Sequence, residues 1–267
     1  MNKQIFIYAN ESLASKKIEK KLRQKLDNVG LEVQSHFNSD TDLLVCIGGD
    51  GTFLESIHKF DFPSVPIIGI NTGHLGFFQE ILPSQLDDFI FNYTHGKYVI
   101  QQLSTVKSIV RTRDNEYSHI GLNEIAIKGN SSYSVHLNIS IGGSFIERFS
   151  GDGILVATPA GSTAYNYSLG GSIVDPRLNI LQVTPIAPMN TTAYRSFTSS
   201  IMLPSELSLG IVPDLDKDRN KLMIVYDGES SEYENVKEIE ITFSDIKVKL
   251  MRFETYDFWK KVKSKFL

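Results

Sequence analysis

An unbroken apolar run ends abruptly at glycines in the segment LLVCIGGDGTFLES, residues 43–56. Apolar residues fill positions 43–47, which is typical of a strand that is buried on both faces. Strands of that kind belong to parallel sheets, whose crossover connections are usually helices. This feature therefore limits the first part of the chain to a layered α/β arrangement.

The first hundred residues repeat this alternation of strand and helix. Apolar segments predict two further strands, over 4–8 and 66–70. Helical spacing of apolar residues predicts helices over 13–29, 52–59 and 84–93. The order predicts an α/β N-terminal domain with a parallel sheet, in which the GGDGT turn lies at the carboxyl end of a strand. Ligands of such sheets bind at that edge.

The pattern changes after residue 98. Segments such as SVHLNISIGG, KLMIVYDGES and KEIEITFSDIKVKL are short, alternate polar with apolar residues and end at glycine turns. They predict a mostly antiparallel, all-β C-terminal domain. The last segment, YDFWKKVKSKFL, is amphipathic and predicts a C-terminal helical segment that docks back on the N-terminal domain. The predicted domains are 1–98, 99–250 and 251–267.

Composition narrows the class of protein. The 267 residues include 27 Lys and Arg against 31 Asp and Glu, a formal charge of −4, which gives no electrostatic basis for binding nucleic acid or an anionic membrane. Cys46 is the only cysteine, so an intrachain disulfide is impossible and a buried, inert thiol is expected. The N-terminus turns polar too soon for a signal peptide, and no apolar run approaches membrane-spanning length. We expect a cytoplasmic protein.

The GGDGT turn, residues 48–52, combines phosphate-binding features with a carboxylate. Backbone amides of a glycine turn at a helix start suit a phosphate, but Asp50 would repel one. The carboxylate makes sense if it meets a hydroxyl that is to be phosphorylated, or a magnesium ion that a nucleotide carries. The alternative is a plain turn, in which Asp50 caps a helix that begins at Thr52.

Several familiar sites are missing from the sequence. It has no GxxxxGK[ST] loop, no GxGxxG turn and no GxSxG elbow, which argues against Walker-type, Rossmann and α/β-hydrolase sites. The six histidines show no metal-ligand spacing, so no protein metal site is expected. Any magnesium would arrive with a nucleotide and keep much of its water.

Three further polar, glycine-rich stretches stand at predicted strand ends. GINTGHLGFF, residues 69–78, is either a second phosphate-side loop with Phe77 and Phe78 as a stacking or packing wall, or a turn whose aromatics fill the core. In LNEIAIK, Asn123 and Glu124 either bind ribose hydroxyls and a base edge or make strand-entry hydrogen bonds.

The third stretch, FSGDGILVATPAGSTAYNYSLGG, covers residues 149–171 and predicts a rigid turn followed by a short helix near Ser162. Ser162 or Thr163 can cap that helix. The same geometry can present a hydroxyl and backbone amides to an adenine or a phosphate, with Tyr165 packing alongside. The two roles can coexist at one helix start.

Taken together, these motifs resemble those of the NAD kinases. The motifs, in chain order, are GGDGT (48–52), NTGHLGF (71–77), NE (123–124), GDG (151–153) and TPAGSTAY (158–165). GGDGT alone is not specific, because diacylglycerol kinases, sphingolipid kinases and phosphofructokinases carry close variants of this motif. GGDGT followed by NE and TPxGSTAY is much more specific, and the resemblance covers nearly the whole chain.

The resemblance implies phosphorylation of the 2′-hydroxyl of the adenosine ribose of NAD, with ATP and a divalent cation (Mg²⁺), to give NADP. It implies that Asp50 activates the hydroxyl and that the loops 48–51 and 71–74 carry the phosphates, with Gly48, Gly49, Gly51, Asn71 and His74. The residues expected to bind NAD are Asn123, Glu124, Asp152, Thr163, Ala164, Tyr165, Asn166 and Ser168. Members of the family are homodimers or homotetramers, in which a neighbouring subunit can complete the site.

Two places depart from the family pattern. Ser150 stands before the second GDG, where close relatives often carry a basic residue. The stretch VTPIAPMNTTAYRSF lacks the family's histidine, so only Ala187 is carried over from it. Asp227 in VYDGES matches a family Asp-Gly and is expected to face the nicotinamide side.

Two other functions fit part of this sequence. A lipid or sugar kinase that shares the GGDGT module would have an apolar groove or a sugar-phosphate site in place of the TPAGSTAY loop. A catalytically silent sensor would bind NADP and a partner protein, although such a sensor has no use for the carboxylate of Asp50.

Overall fold

The computed structural model describes residues 3–74, 76–129, 134–192, 195–214 and 221–266, so Leu75 of NTGHLGF lies outside the described residues. The strands are β1 Gln4–Ala9, β2 Glu32–Val33, β3 Leu43–Gly48, β4 Ile67–Asn71, β5 Gln79–Ile81, β6 Val99–Arg111, β7 Glu116–Gly121, β8 Glu124–Gly129, β9 Val135–Ile141, β10 Ser144–Gly151, β11 Gly153–Ala157, β12 Ile180–Ile186, β13 Ile201–Pro204, β14 Leu209–Pro213, β15 Lys221–Tyr226, β16 Glu229–Glu234 and β17 Glu238–Arg252. The helices are α1 Leu13–Asn28, α2 Asp50–Lys59, α3 Leu86–Thr94, α4 Tyr165–Ser168 and α5 Phe258–Phe266, with 3-10 turns at Pro83–Gln85 and Ala160–Thr163.

The chain divides into two compact units. The first unit comprises Met1–Gln102 and Lys247–Leu267, and the second comprises Leu103–Ile246. The C-terminal helix α5 therefore belongs to the same unit as the GGDGT turn. The three domains expected from the sequence, 1–98, 99–250 and 251–267, remain a prediction.

The first unit contains the expected parallel sheet. Its strand order is β2-β1-β3-β4, and each of these pairings is parallel. Strand β5 pairs parallel with β4, and so does the C-terminal part of β17, through Leu250 and Ile67. The whole of β3 is buried, as its unbroken apolar run predicts. Burial also raises the pKa of the Cys46 thiol in this strand to about 12.

Local signals in the sequence set the ends of α1. The side chain of Ser12 accepts the backbone N–H of Ser15 at 3.1 Å, which caps the N-terminus of the helix. At the other end Gly30 adopts a positive φ of 72°. Its N–H bonds to the carbonyl of Asp27, and the N–H of Leu31 bonds to the carbonyl of Leu26. This pair of bonds is a Schellman motif, for which glycine is the favoured residue.

The second unit is antiparallel, as predicted. One sheet has the order β13-β12-β11-β8-β15-β16, and every pairing in it is antiparallel. Strands β10, β9, β14 and the first part of β17 also pair antiparallel, as do β6 and β7. Because β17 pairs antiparallel with β14 and parallel with β4, the sheet that contains β17 is mixed and not purely parallel.

A single hydrophobic cluster joins both groups of strands in the second unit. It includes Ile125 and Ile154 from the first group and Leu137 and Ile239 from the second, all of them buried. The predicted fold class is confirmed: an α/β unit with the GGDGT turn, an antiparallel β unit and a C-terminal helix. Within the described ranges, no helix has both the length and the apolar character needed to cross a membrane.

Candidate active site

Asp50 is the first residue of α2, directly after strand β3. Gly49 precedes it with an extended backbone, at φ −105° and ψ −171°, and no side chain caps the helix. The helix therefore begins two residues before the predicted start at Thr52. Because the first amides of a helix lack partners within the helix, this end of α2 is suited to an anion.

The carboxylate of Asp50 is held by the loop that follows β4. Its Oδ2 accepts the backbone N–H of Phe77 at 3.0 Å, and its Oδ1 accepts that of Phe78, also at 3.0 Å. A Cβ on Gly76 would lie 2.3 Å from Oδ1 of Asp50, so only glycine allows this close approach. These bonds fix the direction of the carboxylate and leave each oxygen a further lone pair for another donor. Asp50 is thus held across the fold and is not a simple helix cap.

Helix α5 supplies cationic groups around the same loop. Lys265 Nζ lies 3.8 Å from Oδ2 of Asp50 and 4.8 Å from the centre of the Phe77 ring. The ring of Phe77 is buried and packs against Phe258 and Phe266, each at a centroid distance of 5.9 Å. In this unit Phe77 is therefore a packing wall for α5.

A buried ion pair between Arg252 and Glu80 supports the loop that contains Phe77. Arg252 Nη1 lies 3.0 Å from Glu80 Oε2, and both side chains are almost fully buried. Arg252 Nη2 and Lys261 Nζ both donate to the carbonyl oxygen of Phe77, at 3.1 and 3.3 Å. Burial, together with the nearby charge of Arg252, lowers the pKa of Lys261 to about 8. Phe77 is thus held at both of its backbone groups: its N–H donates to Asp50, and its carbonyl accepts from Arg252 and Lys261.

The remaining residues predicted for this site surround the start of α2. A Cβ on Gly48 would lie 2.3 Å from Thr52 Oγ1, so this position requires glycine. Asn71 is buried, and its Oδ1 accepts the N–H of Gly73 at 3.0 Å, which forms the turn after β4. Gly51 and His74 are exposed. The N–H of Thr72 donates to the carbonyl of Gly48, so the structure brings the two predicted phosphate loops together.

In the second unit, Asp227 anchors the turn that carries Asn123 and Glu124. Its carboxylate accepts the backbone N–H groups of Leu122, Asn123 and Glu124, at 2.6, 2.7 and 3.3 Å. Asp227 lies in the β15–β16 hairpin with a positive φ of 49°, a conformation that Asp tolerates better than most residues. The structure thus brings Asp227 to Asn123 and Glu124, a relationship that sequence reasoning did not predict.

Two buried acceptors at this turn have no hydrogen-bond partner. They are Oδ1 of Asn123 and Oε2 of Glu124. Burial, with a smaller contribution from the charge of Asp227, raises the pKa of Glu124 to about 8. Buried polar atoms are rarely left unpaired without a reason, and a ligand that carries hydroxyl donors would satisfy both atoms. This is the strongest feature of the second unit that points to a ligand.

The TPAGSTAY loop packs directly on the same turn. Thr158 donates its N–H to the carbonyl of Asn123 and its hydroxyl to that of Leu122, at 2.9 and 2.6 Å. A Cβ on Gly161 would lie 1.9 Å from the carbonyl oxygen of Asn123. The loop and the Asn123 turn therefore form one assembly, and glycine at position 161 permits it.

Two of the side chains predicted to contact a ligand form hydrogen bonds within the protein. Ser162 is fully buried; its hydroxyl donates to the carbonyl of Pro159 at 2.7 Å and accepts the N–H of Val174 at 2.9 Å. Asn166 is also fully buried, and its Oδ1 accepts the hydroxyl of Thr184 at 2.6 Å. Both side chains hold the loop in shape, and α4 has no side-chain cap from Ser162 or Thr163.

Other predicted residues of this loop face outward or lie at its edge. Tyr165 is 38% exposed, Ser168 is exposed, Ala164 is half-buried and Thr163 is buried. These four residues follow Gly161, which packs on the carbonyl of Asn123.

Asp152 and Ala187 lie away from Glu124 within this chain. Both are exposed, and they lie together, since the Asp152 N–H donates to the carbonyl of Ile186. Glu124 pairs with Ala157 at one end of β11, whereas Asp152 precedes the other end, roughly 16 Å from Ala157 along the strand direction. Ser150, before this GDG, is fully buried and bonds to Ser196.

Sequence reasoning missed several polar groups near Asp50 and Phe77, which belong to α5, to the end of β17 and to β5. Lys261 and Lys265 lie one helical turn apart in α5, where such spacing is typical of a solvated helix face, and Arg252 ends strand β17. The side-chain amide of Gln79 is buried with neither polar atom paired. No motif marks any of these residues; tertiary contacts connect Lys265 to Asp50, and Arg252 and Lys261 to the carbonyl of Phe77.

Metal-ligating side chains do not cluster in the part of the chain that the structure describes. Within the described ranges, no group of three His, Cys, Asp or Glu residues is placed to hold a metal ion. Each oxygen of Asp50 already accepts a backbone N–H. The described side chains therefore include no cluster of three metal ligands, and Asp50 keeps one lone pair on each oxygen.

Comparison with protein families matches both parts of the chain. The family model described as ATP-NAD kinase N-terminal domain matches residues 2–98. The model described as ATP-NAD kinase C-terminal domain matches residues 122–253. The two matched regions contain Asp50 and Glu124, respectively.

Curated proteins and solved structures give consistent similarities. An NAD kinase of Finegoldia magna is 39% identical over 100% of this chain and 98% of its own length. An NAD kinase of Staphylococcus carnosus is 34% identical over 85% of this chain and 84% of its own. An NAD kinase of Archaeoglobus fulgidus, solved with ATP, has a TM-score of 0.76 at 25% identity and covers 98% of this chain and 99% of its own. A yeast NADH kinase, solved with NADH, shares the fold with a TM-score of 0.84 at 21% identity, over 98% of this chain and 86% of its own.

Proposed function

This chain belongs to the NAD kinase family and is a kinase, and on that premise we propose that it transfers the γ-phosphoryl group of ATP to the 2′-hydroxyl of the adenosine ribose of NAD, giving NADP. The observation that carries the proposal is the carboxylate of Asp50, held at the start of α2 by the N–H groups of Phe77 and Phe78. The helix end can bind the phosphoryl group, and the carboxylate beside it can orient the hydroxyl that attacks that group.

Asp50 acts chiefly by position. A secondary hydroxyl is a poor nucleophile, and an ordinary carboxylate is a weak base. With one amide N–H on each oxygen, the carboxylate is held in a fixed orientation, and a remaining lone pair can accept the 2′-hydroxyl and aim it at the γ-phosphorus. The proton passes to Asp50 as the new O–P bond forms.

The phosphates are bound by backbone amides near the start of α2. Gly48, Gly49 and Gly51 let a phosphate approach the main chain, and the loop 71–74 with Asn71 and His74 adds further polar groups. The hydrogen bond from Thr72 to Gly48 supports a joint role of the two loops. The packing of Phe77 supports an indirect role for its ring, through α5, in shaping this site.

The NAD is bound by residues of the second unit. Asn123 and Glu124 form hydrogen bonds with ribose hydroxyls through their unpaired buried oxygens, and Asp227 fixes the turn that presents them. Thr163, Ala164, Tyr165 and Ser168 line the dinucleotide, while Ser162 and Asn166 act through the shape of the loop.

The protein acts as a homo-oligomer, a dimer or a tetramer. Asp152 and Ala187 are exposed and lie at the end of β11 that is remote from Glu124. That position supports a role in the NAD site of a neighbouring copy of the chain.

The ATP is used with Mg²⁺, which the nucleotide brings with it, since the described side chains form no metal site. The bound ion supplies charge neutralisation to the phosphates. We also infer a cytoplasmic location, which the buried, reduced Cys46 supports.

The test is incubation of the purified protein with NAD, ATP and Mg²⁺, with NADP read by an NADP-specific dehydrogenase. Parallel reactions offer diacylglycerol and fructose 6-phosphate with ATP. NADP formation with neither alternative substrate consumed supports the proposal. Binding of the dinucleotide without ATP consumption would point to a sensor instead.

A further inference from the structure

Lys265 is placed beside the carboxylate that the proposed reaction uses. Its Nζ lies 3.8 Å from Oδ2 of Asp50, and its side chain is 34% exposed. It also lies 4.8 Å from the ring of Phe77, whose N–H donates to that same carboxylate oxygen. Both partners belong to the first unit.

A triphosphate that approaches Asp50 meets an electrostatic difficulty. The carboxylate and the γ-phosphate are both negative, and the proposed transfer needs them on the two sides of one hydroxyl. The amides at the start of α2 carry only partial positive charge. A full positive charge close to both groups would offset the repulsion and stabilise charge on the transferring phosphoryl oxygens.

Among the described cations near Asp50, Lys265 has the freedom to do this. Arg252 is buried against Glu80 and donates to Gln101 and to the carbonyl of Phe77. Lys261 donates to the carbonyls of Phe77 and Gln79. The described contacts of Lys265 are the ion pair with Asp50 and the contact with the Phe77 ring. A partly exposed ammonium on a flexible stem can turn from the carboxylate to a bound phosphate.

We propose that Lys265 is a catalytic residue that neutralises Asp50 in the free protein and contacts the γ-phosphate of ATP when the nucleotide binds. The inference rests on the proposed function. The bond between the 2′-oxygen and the γ-phosphorus forms, the bond between that phosphorus and the β,γ-bridging oxygen breaks, and ADP leaves. The hydroxyl proton goes to Asp50, and Lys265 keeps its own proton throughout.

The test compares two lysines of the same helix. Lys265→Met removes the charge but keeps an apolar stem for the contact with Phe77, and Lys265→Arg keeps the charge. Lys263→Met is the matched control, because Lys263 is exposed on α5 and has no described contact with Asp50. NADP formation is measured over a range of ATP and of NAD concentrations, and thermal unfolding is recorded for each variant.

For Lys265→Met we expect kcat/KM for ATP to fall about tenfold, while KM for NAD and the unfolding temperature stay close to wild type. Lys265→Arg should restore most of the loss, and Lys263→Met should stay within about twofold of wild type. Equal ATP kinetics in Lys265→Met and Lys263→Met would overturn the inference. So would a loss in Lys265→Met that follows a lowered unfolding temperature, or one that arginine does not restore.

The same experiment separates this inference from the function on which it rests. If the wild-type protein forms NADP and Lys265→Met is unaffected, only the role of Lys265 is wrong. If the wild-type protein and Lys263→Met form no NADP, the proposed function fails and the inference falls with it.

Discussion

The carboxylate of Asp227 accepts the backbone N–H of Glu124 at 3.3 Å, so two acidic side chains meet where strand β8 begins. Burial of Glu124, with the negative charge of Asp227 as the smaller cause, raises the pKa of Glu124 from 4.5 to about 8. The carboxyl group of Glu124 is therefore protonated at neutral pH in the free protein, although most glutamates are ionised there.

This raised pKa predicts a pH dependence of stability. Between pH 4.5 and about 8, folded Glu124 keeps its proton while the unfolded chain has lost it. Stability from this group is fully present below the unfolded pKa and is lost as the pH rises toward 8, by up to about 1.4 kcal/mol per pH unit. Urea unfolding of the wild type and of Glu124→Gln at pH 5 and pH 8 checks this. We expect the variant to gain stability relative to wild type at pH 8, and an equal difference at both pH values would contradict the shift.

Replacement of Asp50 by Asn should separate binding from turnover. Asn has nearly the same shape but cannot take the hydroxyl proton, so kcat should fall by about 10² to 10⁴ while NAD binding, measured by calorimetry, is retained. One of the two N–H groups of Phe77 and Phe78 loses its acceptor, which should lower stability by about 1–3 kcal/mol. Asp88→Asn, on the exposed side of α3, is the control. Near wild-type turnover in Asp50→Asn would mean that Asp50 is only a turn residue.

Asp227→Asn should weaken NAD binding through Glu124 and Asn123. Asn tolerates the positive φ at position 227 but offers one acceptor oxygen to three N–H groups, so the turn loses its anchor. We expect KM for NAD to rise about tenfold with a smaller change in kcat. The exposed Asp245→Asn is the matched control. An unchanged KM for NAD would show that the turn keeps its shape without this carboxylate.

Gly161→Ala should be among the most destabilising single changes in the second unit. The new Cβ would lie 1.9 Å from the carbonyl oxygen of Asn123, and a backbone atom cannot move aside cheaply. We expect a loss of about 3 kcal/mol or more in the free energy of unfolding. The same change at Gly51, where a Cβ meets nothing within 4 Å, should leave stability unchanged or raise it by about 0.5–1 kcal/mol, because position 51 is helical. Chemical denaturation of both variants measures the contrast.

Much of the first unit follows from local sequence. The unbroken apolar run of β3 predicts a buried parallel strand, and Gly30 predicts the end of α1, because each signal depends on neighbouring residues only. Helix α2 begins at Asp50, two residues before the predicted start at Thr52. Gly49 takes the extended backbone of a cap position, which leaves Asp50 free to bond outside its own helix.

The rest of the candidate site depends on contacts between residues that are remote in the chain. The family resemblance implies ligand contact for Asn166, and the turn predicts an available hydroxyl at Ser162. In the structure Thr184 and Val174 hydrogen-bond these two side chains, and sequence spacing does not specify those partners. In the same way, nothing in the C-terminal segment indicates that Lys265 meets Asp50. Such pairings are set by tertiary packing, which periodicity and local propensity do not encode.

The buried Cys46 gives this protein an intrinsic reporter of its own opening. It is the chain's only thiol and lies in fully buried β3, and its high pKa keeps it from forming the reactive thiolate. A thiol-directed dye can therefore react only in molecules whose central strand has separated from its neighbours. The labelling rate would record how often the strand that leads into Asp50 comes apart, with no engineered probe.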